Sequence, residues 1–303
     1  MQKGKTKDND QGDVLTYFYR CRVVSVELAM RVMTICKRPM LRQSTYHMLG
    51  RWVKRGTLRR RDSAYGALWE VADKGLKLLQ DAHPGEFVRQ DPLRELTLQH
   101  QLDVATLYLD CIENDLPGQW RAPPSIHFQD KERRCLRPDA AIHVGGQIYA
   151  IELDRGTEPI RSTKERRTIE RKAEAYRMVT TRGPRDGETW AEASLGRRLS
   201  GVIFVVSVRS QNNKRLHWIH EELEKGLRGL RYGVLYLGET EKLRSLLVGD
   251  TAQNPTDDDW MLMKEFYAHA TMALRGVGTE AITPRLNVLL QRSRETIARR
   301  LAS

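Results

Sequence analysis

The feature that most constrains the fold is a predicted β-hairpin centred on Gly145-Gly146. The stretch Arg137–Thr157 reads RPDAAIHVGGQIYAIELDRGT, so the two glycines separate two short apolar runs. A two-residue glycine loop is a strong hairpin signal, because both loop positions require backbone angles that glycine adopts freely. With this loop, counting back along both strands sets Asp139 directly opposite Glu152. The pattern therefore predicts an antiparallel pair of defined register.

Alternation of side chains along the two strands predicts two unlike faces. One face is apolar and is expected to pack on a core; it carries Ala140, Ile142, Val144, Tyr149, Ile151 and Leu153. The other face gathers three carboxylates at its far end, from Asp139, Glu152 and Asp154. Like charges across a ladder are destabilising, so a bound cation, a basic side chain or a raised pKa is expected to compensate them. The second face is therefore a candidate functional site.

Length and charge limit the classes of protein to consider. A chain of 303 residues has room for about two domains. Its formal net charge of +12 predicts a polyanionic partner, most often nucleic acid. Four widely spaced cysteines predict reduced thiols, and neither an apolar leader nor a membrane-spanning stretch is found. The sequence thus predicts a cytoplasmic protein with no membrane partner.

The first part of the chain has the pattern of a winged helix-turn-helix. Residues 1–12 are expected to be a disordered leader, and 13–84 a domain of three helices followed by a hairpin. The third helix is predicted to start at Ser44 or Thr45 and to end at Gly56. The order helix, helix, helix, wing is typical of DNA-binding domains, while the alternative is a winged helix that contacts proteins.

The third helix and the wing supply the expected contacts to double-stranded DNA. Basic and polar side chains here are suited to phosphate groups and, near the start of the helix, to base edges. The predicted phosphate contacts are His47, Arg51, Lys54, Arg55, Arg59, Arg60 and Arg61, and the predicted base contacts are Arg42, Gln43, Ser44 and His47.

The sequence pattern of the second part of the chain, over residues 92–245, predicts an α/β domain with a mixed sheet. A linker at 85–92 precedes it. The expected order is a helix at 93–114, strands at 125–129, 136–144 and 147–154, a helix at 158–179 capped by Thr157, and then a strand, a helix and a strand at 201–208, 213–228 and 232–237. A helical extension is predicted at 256–303. Its last helix either closes a domain or pairs with another subunit, as in a homodimer.

The acidic face resembles a known family. Pro138-Asp139, the element Glu152-x-Asp154-Arg155-Gly156-Thr157, and Lys172 with Tyr176 are similar to the replication-relaxation proteins of plasmids and other mobile elements. His100-x-Leu102 on the preceding helix adds to the similarity. Over residues 13–240 the chain resembles a winged helix followed by an αβββαβ module of the PD-(D/E)xK nuclease type. The fold class implied is α/β (α+β).

The resemblance implies a role in replication-relaxation, mobilisation or its transcriptional control through DNA, with other mobile-element proteins as further partners. In active nucleases of the superfamily, the residues at Asp139 and Glu152 hold a divalent metal, for which Mg²⁺ or Mn²⁺ suits the oxygen ligands. A lysine beside them positions water and stabilises charge on the phosphate.

Asp154 stands where that lysine belongs. The following helix offers Lys172 or Lys164 as a replacement, whereas Asp154 is either a third metal ligand or the ion-pair partner of Arg155 or Arg137. Three accounts of Asp139, Glu152, Asp154 and Lys172 therefore stay open. They form a metal-dependent endonuclease or nickase, a degenerate site retained in a DNA-binding protein, or a structural ion-pair network. A protein-interaction adaptor is the alternative that needs no DNA.

Overall fold

The structure of the chain is a computed structural model that describes residues 6–121, 124–128, 135–156, 159–161, 168–207, 214–227 and 230–248. The chain forms two compact units, 1–247 and 248–303, and all described residues but Val248 belong to the first unit. The predicted helix cap Thr157, the candidate Lys164 and the predicted helices at 256–303 lie outside the described residues.

Three helices, a hairpin and a fourth helix form the N-terminal part, in the predicted order. They are α1 (Thr6–Cys21), α2 (Val26–Ile35), α3 (Arg42–Lys54), β1 (Leu58–Ser63), β2 (Gly66–Val71) and α4 (Asp73–Ala82). The hydroxyl of Ser25 accepts a hydrogen bond from the amide of Leu28 and so caps α2. Helix α1 starts at Thr6, within the segment 1–12 that was expected to be a disordered leader.

The remaining elements form an α/β arrangement around a five-stranded mixed sheet. They are a 3₁₀ turn (Glu95–Thr97), α5 (Leu98–Glu113), β3 (Gln119–Arg121), β4 (Ile126–His127), β5 (Cys135–Leu136), β6 (Ala140–Val144), β7 (Gln147–Asp154), α6 (Ile169–Thr181), α7 (Trp190–Leu195), β8 (Leu199–Val206), α8 (Lys214–Gly226), β9 (Arg231–Tyr236) and α9 (Thr240–Val248). The sheet order is β3-β6-β7-β8-β9. Strands β3, β6 and β7 are antiparallel neighbours, and β7, β8 and β9 are parallel.

The predicted hairpin register is confirmed within the ladder. Ala140 pairs with Ile151 and Val144 with Gln147, and the two loop glycines have φ of +53° and +86°. The predicted apolar face does pack in the main core. The opposite face is also buried, however, because α6 and α8 cover it and Ile148 and Ala150 pack there. Helices on both faces are what the parallel half of the sheet requires.

Three predicted elements differ from the structure. The predicted strand at 136–144 is interrupted, because Leu136 belongs to β5, which pairs with β4, and β6 begins only at Ala140. The first strand of the sheet is β3, whereas the predicted strand at 125–129 contributes only β4, which pairs with β5 in a separate two-stranded sheet. Helix α6 starts at Ile169 rather than at 158, because Thr168 supplies the cap by accepting a hydrogen bond from the Arg171 amide at 3.1 Å. The predicted helix at 93–114 is confirmed in substance, with α5 preceded by the 3₁₀ turn.

Helix α5 joins the N-terminal part to the sheet. It packs against α1 and α2 on one side and against β7 on the other. As a result, one continuous cluster of buried side chains runs from α1 to one face of the sheet. A second cluster fills the space between the other face and α6 and α8. The end of β7 and the start of β6 lie side by side at the end of the sheet where the predicted acidic site lies.

Candidate functional site

Asp139 lies one residue before β6 and is held by the backbone of β7. Its amide donates to the carbonyl of Ile151 at 2.9 Å, and its Oδ2 accepts from the amide of Leu153 at 2.7 Å. The last pair of the ladder is Ala140 with Ile151, so Asp139 does not face Glu152 as a ladder pair. The ladder therefore keeps the predicted register but ends one pair short of the expected pairing of Asp139 with Glu152. Asp139 instead uses its side chain to satisfy a β7 amide at the point where the ladder ends.

His100 is the partner of Asp139. Its Nε2 lies 2.7 Å from Asp139 Oδ1, across the gap between α5 and the hairpin. Burial alone would lower the pKa of His100, but the hydrogen bond and the charge of Asp139 outweigh burial and raise this pKa above its ordinary value. Both carboxylate oxygens of Asp139 thus have a donor.

Glu152 is buried, with 2% of its surface exposed, and α6 supplies both of its partners. Lys172 Nζ donates to Glu152 Oε2 at 3.0 Å, and the Tyr176 hydroxyl donates to Oε1 at 2.7 Å. Lys172 and Tyr176 are four residues apart on α6, so one helix face presents both groups to the carboxylate. Burial raises the pKa of Glu152, and the ammonium of Lys172 opposes that rise. Burial likewise raises the pKa of Tyr176.

Asp154 is engaged separately from Asp139 and Glu152. The Arg215 guanidinium, from α8, donates through both Nε and Nη2, the latter at 2.7 Å from Asp154 Oδ1. The two expected partners lie elsewhere. Arg155 faces Asp103 at 3.3 Å, and Arg137 is exposed. Arg215 was missed because it lies 61 residues further along the chain, and only the packing of α8 brings it near.

The three carboxylates are thus compensated by three different basic side chains. His100 lies at Asp139, Lys172 at Glu152 and Arg215 at Asp154. This confirms the expectation that the acidic face requires compensation. It also brings Asp139, Glu152 and Lys172 together, whereas Asp154 belongs to a separate pair.

The arrangement does not fit the divalent metal that the resemblance implies. Within the described part of the chain, no group of three or more His, Cys, Asp or Glu side chains is placed to bind a metal ion. Every oxygen of Asp139 and Glu152 already accepts a hydrogen bond, and an ammonium lies 3.0 Å from Glu152. A metal ion bound here would compete with these donors for the same carboxylate oxygens.

Helix α3 buries one stripe and exposes the opposite face. Its buried residues are Thr45, Met48, Leu49 and Trp52. Its exposed residues and the residue that follows it include Arg42, Gln43, Ser44, His47, Arg51, Lys54 and Arg55. The helix begins at Arg42 rather than at Ser44 or Thr45, and Thr45 is buried with its hydroxyl donating to the Leu41 carbonyl at 3.1 Å. All the predicted contact residues of α3 are therefore exposed.

Ion pairs divide the predicted basic residues into two groups. The wing arginines are engaged within the chain, because Arg59 pairs with Glu70, Arg60 with Asp62, and Arg61 with Glu95. Arg42 is also paired, at 2.6 Å from Glu27, although more than half of each side chain is exposed.

The basic residues at the end of α3 have no ion-pair partners of this kind. Arg51, Lys54 and Arg55 form no ion pair with any described residue. Lys74 extends their surface, since its stem lies beside Gly56, where a methyl group would be 3.9 Å from Lys74 Cδ. The signal for Lys74 was its place in the first turn of α4, directly after the wing.

Comparison with known proteins identifies a family. No curated protein and no solved structure matches the chain. Within the described ranges, none of the helices has the length and apolar character needed to cross a bilayer. The replication-relaxation family matches residues 15–189, which is more than half of the chain and includes α3, His100, Asp139, Glu152, Lys172 and Tyr176. The chain therefore belongs to the replication-relaxation family.

Proposed function

We propose that the protein binds double-stranded DNA through α3 and acts without cleaving it, in replication-relaxation, mobilisation or its transcriptional control. Membership of the family supports a role in the replication or mobilisation of plasmids or other mobile elements. The observation that carries the DNA-binding step is the cluster of Arg51, Lys54 and Arg55, which are exposed and have no ion-pair partner in the described part of the chain. When such cations contact the phosphates of DNA, they release counterions that are condensed on the DNA, and this release favours binding.

The proposed domain organisation follows from the order of elements. Residues 13–84 form a winged helix in which α3 is the recognition helix, and 92–245 form a PD-(D/E)xK-like module in the order α5, β3, β6, β7, α6, β8. In this arrangement Gln43, Ser44 and His47 are near the start of α3 and meet base edges, while Arg51 and Lys54 in its last turns meet phosphates.

A metal-dependent endonuclease is the second candidate, and Lys172 is the observation that favours it. Its ammonium reaches the Glu152 carboxylate, as a lysine in an active site of this type would. The hydrogen bonds that every oxygen of Asp139 and Glu152 already accepts favour the non-cleaving account instead. An adaptor that contacts only proteins has no comparable observation in its favour, since it leaves the cations of α3 without a role.

The DNA-binding proposal is tested by replacing Arg51, Lys54 and Arg55 together with alanine. A matched control replaces Arg94, Arg137 and Arg171, which are also exposed and have no ion-pair partner among the described residues. Both variants lose the same net charge. We expect only the α3 variant to lower duplex affinity and to reduce the slope of log affinity against log salt by about 3, as expected for three phosphate contacts. Equal losses in both variants would show that α3 is not the binding surface.

Cleavage is tested with supercoiled DNA and added Mg²⁺ or Mn²⁺. We expect the purified protein to bind this DNA without nicking it. Nicking that disappears in both Asp139→Ala and Glu152→Ala would establish the endonuclease instead. Nicking that persists in both variants would assign cleavage to a different site or to a contaminant.

A further inference from the structure

A second group of basic side chains lies beside the edge strand β3 of the sheet. Strand β3 is the edge strand, and Gln119 pairs with His143 while Arg121 pairs with Ala141. Because cross-strand partners share a face, Gln119, Arg121 and His143 lie on one face of this edge. The intervening Trp120 is on the other face and packs in the core, with its ring 5.4 Å from that of Tyr108.

Arg197 joins this group from a different element. Helix α7 ends at Leu195, and its C-cap Gly196, with a φ of +68°, is followed directly by Arg197. The charges of Arg121 and Arg197 both act on His143. Burial, and then these two guanidinium groups, lower the pKa of His143 below its ordinary value. Strand pairing accounts for this proximity, because Arg197 lies two residues before Leu199, Leu199 pairs with Ile148, and Ile148 pairs with His143.

No described acidic side chain forms an ion pair with Arg121 or Arg197. Arg121 has a neutral partner, since its Nη2 donates to Gln119 Oε1 at 2.8 Å. Both guanidinium groups are exposed. In this respect Arg121 and Arg197 differ from arginines such as Arg31 and Arg215, which are paired with carboxylates.

We propose that Arg121, His143 and Arg197 form a second DNA-contacting surface, which binds the phosphate backbone independently of α3. Phosphate supplies the anion that the cluster lacks, and a guanidinium donates two hydrogen bonds to it. A backbone with regularly spaced phosphates suits two guanidinium groups, from Arg121 and Arg197, with the imidazole of His143 between them as a neutral hydrogen-bonding group. This surface rests on the proposed DNA-binding function and extends it to the α/β part of the chain.

The test compares Arg121→Ala/Arg197→Ala with Arg121→Lys/Arg197→Lys, which keeps both charges. Fluorescence anisotropy of a labelled duplex is measured over a salt series, and the melting temperature of each variant confirms its fold. We expect the alanine variant to bind more weakly and to reduce the salt slope by about 2, as for two phosphate contacts, while the lysine variant keeps the wild-type slope. Combined with the α3 variant, the alanine changes should lower the slope further, by the sum of the two reductions.

The outcomes separate this surface from α3. Wild-type affinity and slope in Arg121→Ala/Arg197→Ala, with losses in the α3 variant alone, would overturn the second surface and leave the proposed function intact. Losses of affinity and slope in Arg121→Ala/Arg197→Ala alone would support the second surface and overturn the role of α3. Equal losses in the alanine and lysine variants would overturn the charge-based assignment, and a wild-type protein that binds no duplex would overturn both proposals.

Discussion

At the scale of single residues, the acidic end of the hairpin is organised by unequal exposure of its charges. The Glu152 side chain is 3% exposed, whereas that of its partner Lys172 is 24% exposed. A lysine released from this pair can turn its ammonium to water, but the carboxylate cannot. The two partners of the same ion pair therefore contribute differently to stability.

We predict that Lys172→Met costs more than Glu152→Gln. Removing the ammonium leaves a buried carboxylate with only the Tyr176 hydroxyl, which is expected to cost about 3 kcal/mol. Glu152→Gln removes the charge but keeps a side chain that accepts from Tyr176, at a cost of about 1 kcal/mol. The free energy of unfolding from urea denaturation measures both, and the double variant should be more stable than Lys172→Met alone. A Lys172→Met variant as stable as Glu152→Gln would mean that Glu152 carries no charge in the folded protein.

At the scale of elements, local signals predicted much of the fold. The Gly145-Gly146 loop determines the register of β6 and β7, and the alternation of residues along β7 correctly placed its apolar face in the core. The cap of α6 was misplaced because Thr157 and Thr168 both have the chemistry of a cap, and the difference between them is tertiary. Strand β3 has only three residues, so its existence depends on pairing with β6 rather than on its own pattern.

The candidate site was predictable to the same extent. Asp139, Glu152 and Lys172 were found because they lie on the hairpin and on the helix that follows it. His100 was noted only through the family resemblance, and its contact with Asp139 spans 39 residues. Arg215 carried no local signal at all. Sequence patterns thus identified the carboxylates, while packing of distant helices determined which basic groups meet them.

Gly118 is the residue that allows β3 to approach β6, and its replacement tests this element. Its φ is +108°, and a methyl group there would lie 2.5 Å from Val144 Cγ2 and 2.7 Å from the His143 carbonyl oxygen. We predict that Gly118→Ala destabilises the protein by about 3 kcal/mol, from backbone strain and overpacking together. Gly145→Ala is the matched control. It also has positive φ but no atom within 4 Å, so it should cost only about 1 kcal/mol. Equal unfolding free energies of the two variants would contradict the close approach.

At the scale of the whole molecule, the proposed winged helix and α/β module share one core. The main buried cluster contains Phe18 and Trp52 from the N-terminal part and Ile142 and Ile151 from the sheet. Polar contacts reinforce this link. Arg31 of α2 donates to Asp110 at 2.6 Å and to Glu113 at 2.9 and 2.7 Å on α5. Two modules joined in this way are expected to unfold together rather than one at a time.

We predict that Arg31→Ala lowers the hydrogen-exchange protection of α2 and of β7 by the same free energy. The substitution leaves Asp110, with 16% of its side chain exposed, without its guanidinium, which should cost about 2 kcal/mol. If the two parts open in one cooperative unit, the opening free energy falls by that amount at every slowly exchanging amide of both parts. Arg89→Ala is the control, since Arg89 faces Asp73 at 3.6 Å with both side chains at least 80% exposed, and it should change neither element. A loss of protection confined to α2 would show that the N-terminal part opens by itself, so that contact between α3 and DNA would not be coupled to the stability of the sheet.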